Sequence, residues 1–217
     1  MNTKSLVVEF IGTFALIFVG AGAVAIDVGG LAGAAFAHGF VVIAFIYAYG
    51  HISGTHINPA VTLGLLIAGE IEFVAAIGYW IVQFLGGILG ALLLNIILPD
   101  PGDLGVTILT EGITPVQGLI VEIVLTFFLV NTIFNTAVNG KAGNFAGLAI
   151  GLALIACIFM GGPLTRASLN PSRTLGPAIF STDPQWHNIW LYFVGPCVGA
   201  TLAALLYMGV LKDKGEA

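Results

Sequence analysis

The chain has little charge. Asp, Glu, Lys and Arg make up 8% of its 217 residues, against 58% hydrophobic, where a soluble domain carries about 25% charged residues. So few charges cannot cover a water-facing surface, and lipid is the solvent expected for most of the chain. The net charge of −5 is small and acidic, which argues against a nucleic-acid partner. Cysteine is also scarce. Cys157 and Cys197 lie in apolar runs without metal-ligand spacing and read as packed core thiols. No Ser/His/Asp spacing, phosphate-binding loop or Cys/His cluster occurs, so neither an enzyme nor a bound cofactor is expected. What is abundant is glycine, thirty residues of it, as expected where small residues let membrane helices approach.

A membrane span needs about 20 apolar residues. Six segments qualify, at 5–26, 32–50, 73–98, 116–138, 144–162 and 188–211. The first is too long for a signal-peptide core and reads as a retained span. Two shorter apolar stretches, 58–68 and 170–180, remain. Eleven helical residues rise only ~16 Å, half of the ~30 Å hydrocarbon core. With six spans, Lys4, Lys141, Lys212 and Lys214 fall on one side, assigned to the cytoplasm with both termini. The connecting loop 99–115, with Asp100, Asp103 and Glu111, lies outside. Arg166 and Arg173 fall on the outer side and break this charge rule.

The chain repeats itself. "VEFIGTFALI" at 8–17 matches "VEIVLTFFLV" at 121–130, aligning Glu9 with Glu122. "NPAVTLG" at 58–64 matches "NPSRTLG" at 170–176. One domain therefore consists of repeat one, 5–98, and repeat two, 116–212. Each unit holds three spans and a half-helix. Three is odd, so the second unit enters the membrane from the opposite side. Inverted repeats of this kind put their functional site near the midplane.

Asn is a favoured N-cap and Pro a favoured first helical residue. Asn58-Pro59 and Asn170-Pro171 thus read as two helix starts meeting at the membrane centre. Each N-terminus carries roughly half a positive charge. A cation or excess proton is disfavoured there, and the oxygen of a small neutral molecule is favoured. Half-helix dipoles and pore-lining donors are a known route to water selectivity.

On these residues the chain resembles the aquaporin, or major intrinsic protein, family over nearly its whole length. The first box is Asn58-Pro59-Ala60. The second departs from the family pattern, with Ser172 after Asn170-Pro171. The resemblance implies an all-α membrane fold of six spans and two re-entrant half-helices, and passive conduction of water. It also implies a selectivity filter of His38, Ile158, Ala167 and Arg173. It gives Glu9 and Glu122 the support of the re-entrant loops, and His56 a place in the inner vestibule. A homotetramer in the lipid bilayer is a further implication.

His-Ile-Ala-Arg is similar to the filters of plant tonoplast intrinsic proteins, some of which pass ammonia or urea with water. Thr174 after the filter Arg, and the pair Tyr192-Phe193, are unlike glycerol facilitators. Three alternatives stay open: a broader channel for ammonia, urea or glycerol, a proton-coupled secondary transporter using Glu9 and Glu122, and a non-conducting junction protein. Trp80, Trp186 and Trp190 suit interface belts. Gln83 fits either a helix-packing bond or a pore contact. Arg166 stands where the family commonly has Gly.

Overall fold

Every long apolar run becomes a helix, because backbone groups in hydrocarbon must be satisfied within their own segment. The computed structural model describes residues 2–99 and 102–212. Asp100 and Lys214, two of the charges used above, lie outside the described residues. The long helices are α1 (Thr3–Ala25), α2 (Gly30–Ser53), α4 (Phe73–Ile97), α5 (Pro115–Val138), α6 (Gly143–Thr165) and α8 (Trp186–Leu211). The short ones are α3 (Pro59–Ile67) and α7 (Pro171–Phe180). Start signals sit where the chain needs them. Asn2 caps α1 through the Lys4 N–H. Thr114 and Gln117 form a capping box at α5, with Pro115 at the first position.

The packing follows the repeat. Helix α1 lies against α4 as α5 lies against α8, and α2 crosses α6 between the halves. Each half-helix packs on the other repeat, α3 on α8 and α7 on α4. Glycines set these close approaches. A Cβ on Gly86 would stand 2.4 Å from the Phe10 carbonyl, and one on Gly199 would stand 2.3 Å from that of Ile123. Gly39 and Gly151 face one another across α2 and α6, and a Cβ on either would meet the other's carbonyl within 2.9 Å. Large apolar side chains such as Phe40, Ile81, Phe128 and Leu205 remain exposed on the outward faces.

Two sequence expectations change. Trp80 is not an interface residue of the belt kind: its indole N–H donates to the Pro59 carbonyl at 3.1 Å, tying α4 to the first turn of α3. Trp186 and Trp190 do stay exposed at the start of α8. The acidic segment after α4 is not a surface loop throughout. Leu104, Val106 and Thr107 are buried, because the chain dips back between α1 and α7.

Candidate functional site

The two Asn-Pro starts meet head to head. The Asn58 side-chain oxygen accepts the Ala60 N–H at 2.8 Å. That of Asn170 accepts the N–H groups of Ser172 and Arg173 at 3.0 and 3.3 Å. Each amide nitrogen reaches across the junction, Asn58 to the Leu169 carbonyl at 2.7 Å and Asn170 to the Ile57 carbonyl at 3.0 Å. An amide NH₂ has two hydrogens, so each Asn keeps one N–H beyond its cross-junction bond. Both residues line one narrow cavity.

The segments leading into the half-helices carry matching strain. Gly54, Thr55 and Ile57 have positive φ, as do Arg166, Ala167 and Leu169, each 112 residues further on. For non-glycine residues this region costs roughly 1–2 kcal/mol each. Buried carboxylates hold it. Glu9 accepts the N–H groups of His56 and Ile57 at 2.8 and 2.6 Å, the Ser53 hydroxyl at 2.7 Å and the Gln83 amide at 2.9 Å. Glu122 accepts the N–H groups of Ser168 and Leu169 at 3.0 and 2.8 Å and the Thr165 hydroxyl at 2.7 Å. The hydroxyls of Tyr79 and Tyr192 bond the carbonyls of Ser53 and Thr165. His56 bonds Thr62 as Ser168 bonds Thr174. A pseudo-twofold relation thus reaches individual side chains.

Three cavities adjoin one another through shared lining residues. One of about 380 Å³, on the side assigned above to the outside and called outer, is bordered by Asp27, Asp103 and Arg166, and one of about 780 Å³ on the opposite side, called inner, by His51, His56 and Glu70. A central neck of about 70 Å³ joins them, its wall largely Leu, Ile and Val. The outer and central cavities have four lining residues in common: His38, Ile158, Ala167 and Arg173. These are the four that the family resemblance names as the filter. His56 lies at the other end, where the central and inner cavities meet.

Where the outer and central cavities share their lining, the polar atoms are arranged by their backbone partners. His38 Nδ1 bonds the Ala34 carbonyl at 2.8 Å. A carbonyl only accepts, so Nδ1 carries a proton; Nε2 is buried on the ring edge that packs against Gly20 of α1. Among the described residues His38 Nε2 and Arg173 Nε have no hydrogen-bond partner. Arg173 is 2% exposed, and its Nη1 donates to the Gly105 carbonyl at 2.6 Å. Ile158 and Ala167 complete the ring without polar side-chain atoms.

Sequence reasoning missed Gly105, Asp103 and Thr62 as parts of this region. "LGVTILT" after two acidic residues carries no signal that it dips inward. Gln83 is now placed: its amide bonds Glu9 and Thr62 at 2.9 and 3.0 Å, which makes it a packing residue. The Ser172 hydroxyl is buried without a partner among the described residues. It packs near Gly87 of α4 and away from the cavities. Cys157 Sγ turns to the Leu125 carbonyl of α5.

The profile of the major intrinsic protein family matches residues 1–207. A probable aquaporin, TIP2-2, of Oryza sativa subsp. japonica is 40% identical over 95% of this chain and 86% of its own length. Aquaporin TIP2-3 of Arabidopsis thaliana is 39% identical over 100% of this chain and 90% of its own. Among solved structures, the aquaglyceroporin from Plasmodium falciparum superposes with a TM-score of 0.86 over 96% of each chain, at 24% identity. That last likeness concerns the fold alone.

Proposed function

The chain belongs to the major intrinsic protein family, and from that premise we propose that it is a passive water channel selecting at His38, Ile158, Ala167 and Arg173. The observation that carries the reading is the junction of the half-helices. Each Asn offers a fixed N–H donor to the neck and no free acceptor in the same direction. A water there accepts through its oxygen, and its own hydrogens point away along the file. A proton relay needs a donor and an acceptor in alternation, and this water breaks it. The paired helix N-termini add a positive potential that repels cations. At the outer constriction the Arg173 guanidinium donates and the His38 ring forms part of the same wall, replacing part of the hydration of an entering water. Glu9 and Glu122 hold the loops that aim these groups. His56 lines the inner exit.

A second reading concerns solute range. Ile158 and Ala167 make half of the constriction apolar and small, which favours passage of ammonia or urea with water. Stopped-flow light scattering of proteoliposomes, with an impermeant osmolyte and then with urea, tests both. Fast shrinkage with low activation energy is expected, followed by re-swelling in urea. Ile158→His narrows the ring and should reduce urea flux several-fold more than water flux. Equal loss of both would refute the filter assignment, and wild-type protein no faster than bare lipid would refute conduction. The homotetramer and the cytoplasmic termini rest on the family and on Lys4, Lys141 and Lys212. Light scattering in detergent gives the mass, and protease access to a C-terminal tag gives the side.

A further inference from the structure

Arg166 is out of place by three criteria. It sits at φ 58°, a conformation natural to glycine and costing a branched or long side chain roughly 1–2 kcal/mol. It adds a cation to the outer end of a chain with only six Lys and Arg residues. It lies four residues before the cap of α7, at the rim of the outer cavity. Strained residues persist where the surroundings over-determine them, and they cluster at functional sites.

Its partners explain the position. Arg166 Nη1 forms an ion pair with the Asp103 carboxylate and donates to the Val106 carbonyl at 3.2 Å. The other Asp103 oxygen accepts the Gly105 N–H at 2.8 Å, and the Asp103 carbonyl accepts the Val106 N–H at 2.8 Å. The carboxylate therefore shapes a tight turn with Gly105 at its apex. Gly105 has φ 67°, and a Cβ there would fall 2.4 Å from the Ala21 carbonyl. The turn is pressed against α1 and cannot retreat in that direction. Its product is the Gly105 carbonyl, which holds Arg173 Nη1 at 2.6 Å. Thr107 then pins the segment to Thr174 of α7 at 2.7 Å.

We propose that the Arg166–Asp103 pair is a clamp that sets the orientation of Arg173 and thereby the solute cut-off of the channel. Arg166 is a positioning residue: it touches the turn, the turn offers the Gly105 carbonyl, and that carbonyl fixes the guanidinium in the constriction. The proposal rests on the reading of Arg173 as a filter residue. Without the clamp the turn loosens, Arg173 loses its fixed acceptor, and the ring samples wider openings. Water, already small enough, gains little. A larger neutral solute gains more.

The test is the urea-to-water permeability ratio in proteoliposomes for wild type, Asp103→Asn, Arg166→Gly, Arg166→Lys and Ile158→His. Gly at 166 removes the guanidinium and also relieves the backbone, so folding is preserved. The ratio should rise at least threefold in Asp103→Asn and Arg166→Gly and stay nearer wild type in Arg166→Lys, which keeps a cation opposite Asp103. A role confined to stability would lower the melting temperature or both fluxes together and leave the ratio unchanged, which would overturn the clamp. If the two clamp variants keep the wild-type ratio while Ile158→His shifts it, the clamp fails and the filter reading stands. If Ile158→His also leaves the ratio unchanged, the filter reading itself fails and the clamp with it.

Discussion

Glu122→Gln keeps the shape of the side chain and removes one acceptor. In the native site one carboxylate oxygen takes the Thr165 hydroxyl at 2.7 Å and the Ser168 N–H at 3.0 Å, and the other takes the Leu169 N–H at 2.8 Å. A glutamine must turn its NH₂ toward one of those backbone donors. With the amide oxygen left on Thr165 and Ser168, the Leu169 N–H faces another donor. After a flip the Ser168 N–H does so, since only the Thr165 hydroxyl can rotate to accept. Either way one charge-assisted bond is lost, about 1.5–3 kcal/mol, and a buried N–H is orphaned, about 1–3 kcal/mol. The combined loss is about 2.5–6 kcal/mol. Ala167 and Leu169, at φ 45° and 54°, would relax by abandoning the loop geometry once the carboxylate no longer holds it. On the scale of about 2–4 °C per kcal/mol for a chain of this size, melting should fall by at least about 5 °C. Tryptophan fluorescence in detergent measures this, and stopped-flow scattering of the same preparation should give reduced water permeability. Glu9→Gln, which disturbs four bonds, should cost at least as much. Melting within about 2 °C of wild type with full flux would refute the idea that these hydrogen bonds hold the re-entrant segments.

Ser172→Ala removes a buried hydroxyl without a partner among the described residues and should stabilise the fold by about 1 kcal/mol with water flux unchanged; a lower melting temperature would reveal a partner for that hydroxyl. Gly20→Ala would place a Cβ 2.6 Å from the His38 ring. It should displace the imidazole and alter water flux several-fold in stopped-flow traces. Equal flux would mean that the position of His38 does not set the constriction. Mercurials should block weakly, since Cys157 is buried and turned to the Leu125 carbonyl. Strong block abolished by Cys157→Ser would contradict this placement.

The spans were legible because hydrocarbon imposes a length and a composition, and the observed ends fall within three residues of those read from hydropathy. The half-helix starts were legible for a local reason: an Asn cap and a Pro at the first position act within one turn, as Asn58 does on Ala60. The equivalence of Glu9 and Glu122 followed from the repeat. Trp80 was misread because its bond to Pro59 joins residues in different helices. A tryptophan near a span end looks the same in sequence whether it faces lipid or a neighbouring helix.

The sequence by itself determined an all-helical membrane chain, its two repeated units and the chemistry gathered at the two Asn-Pro boxes. These depend on residue type and on spacing along one segment. The tertiary structure alone decided which atoms face the neck. Asn58 meets Leu169 and Asn170 meets Ile57 across more than a hundred residues, and Gly105 reaches Arg173 from a segment that reads as loop. Such pairings are set by how the helices cross and where glycine lets them touch, a property of packing that no local pattern encodes.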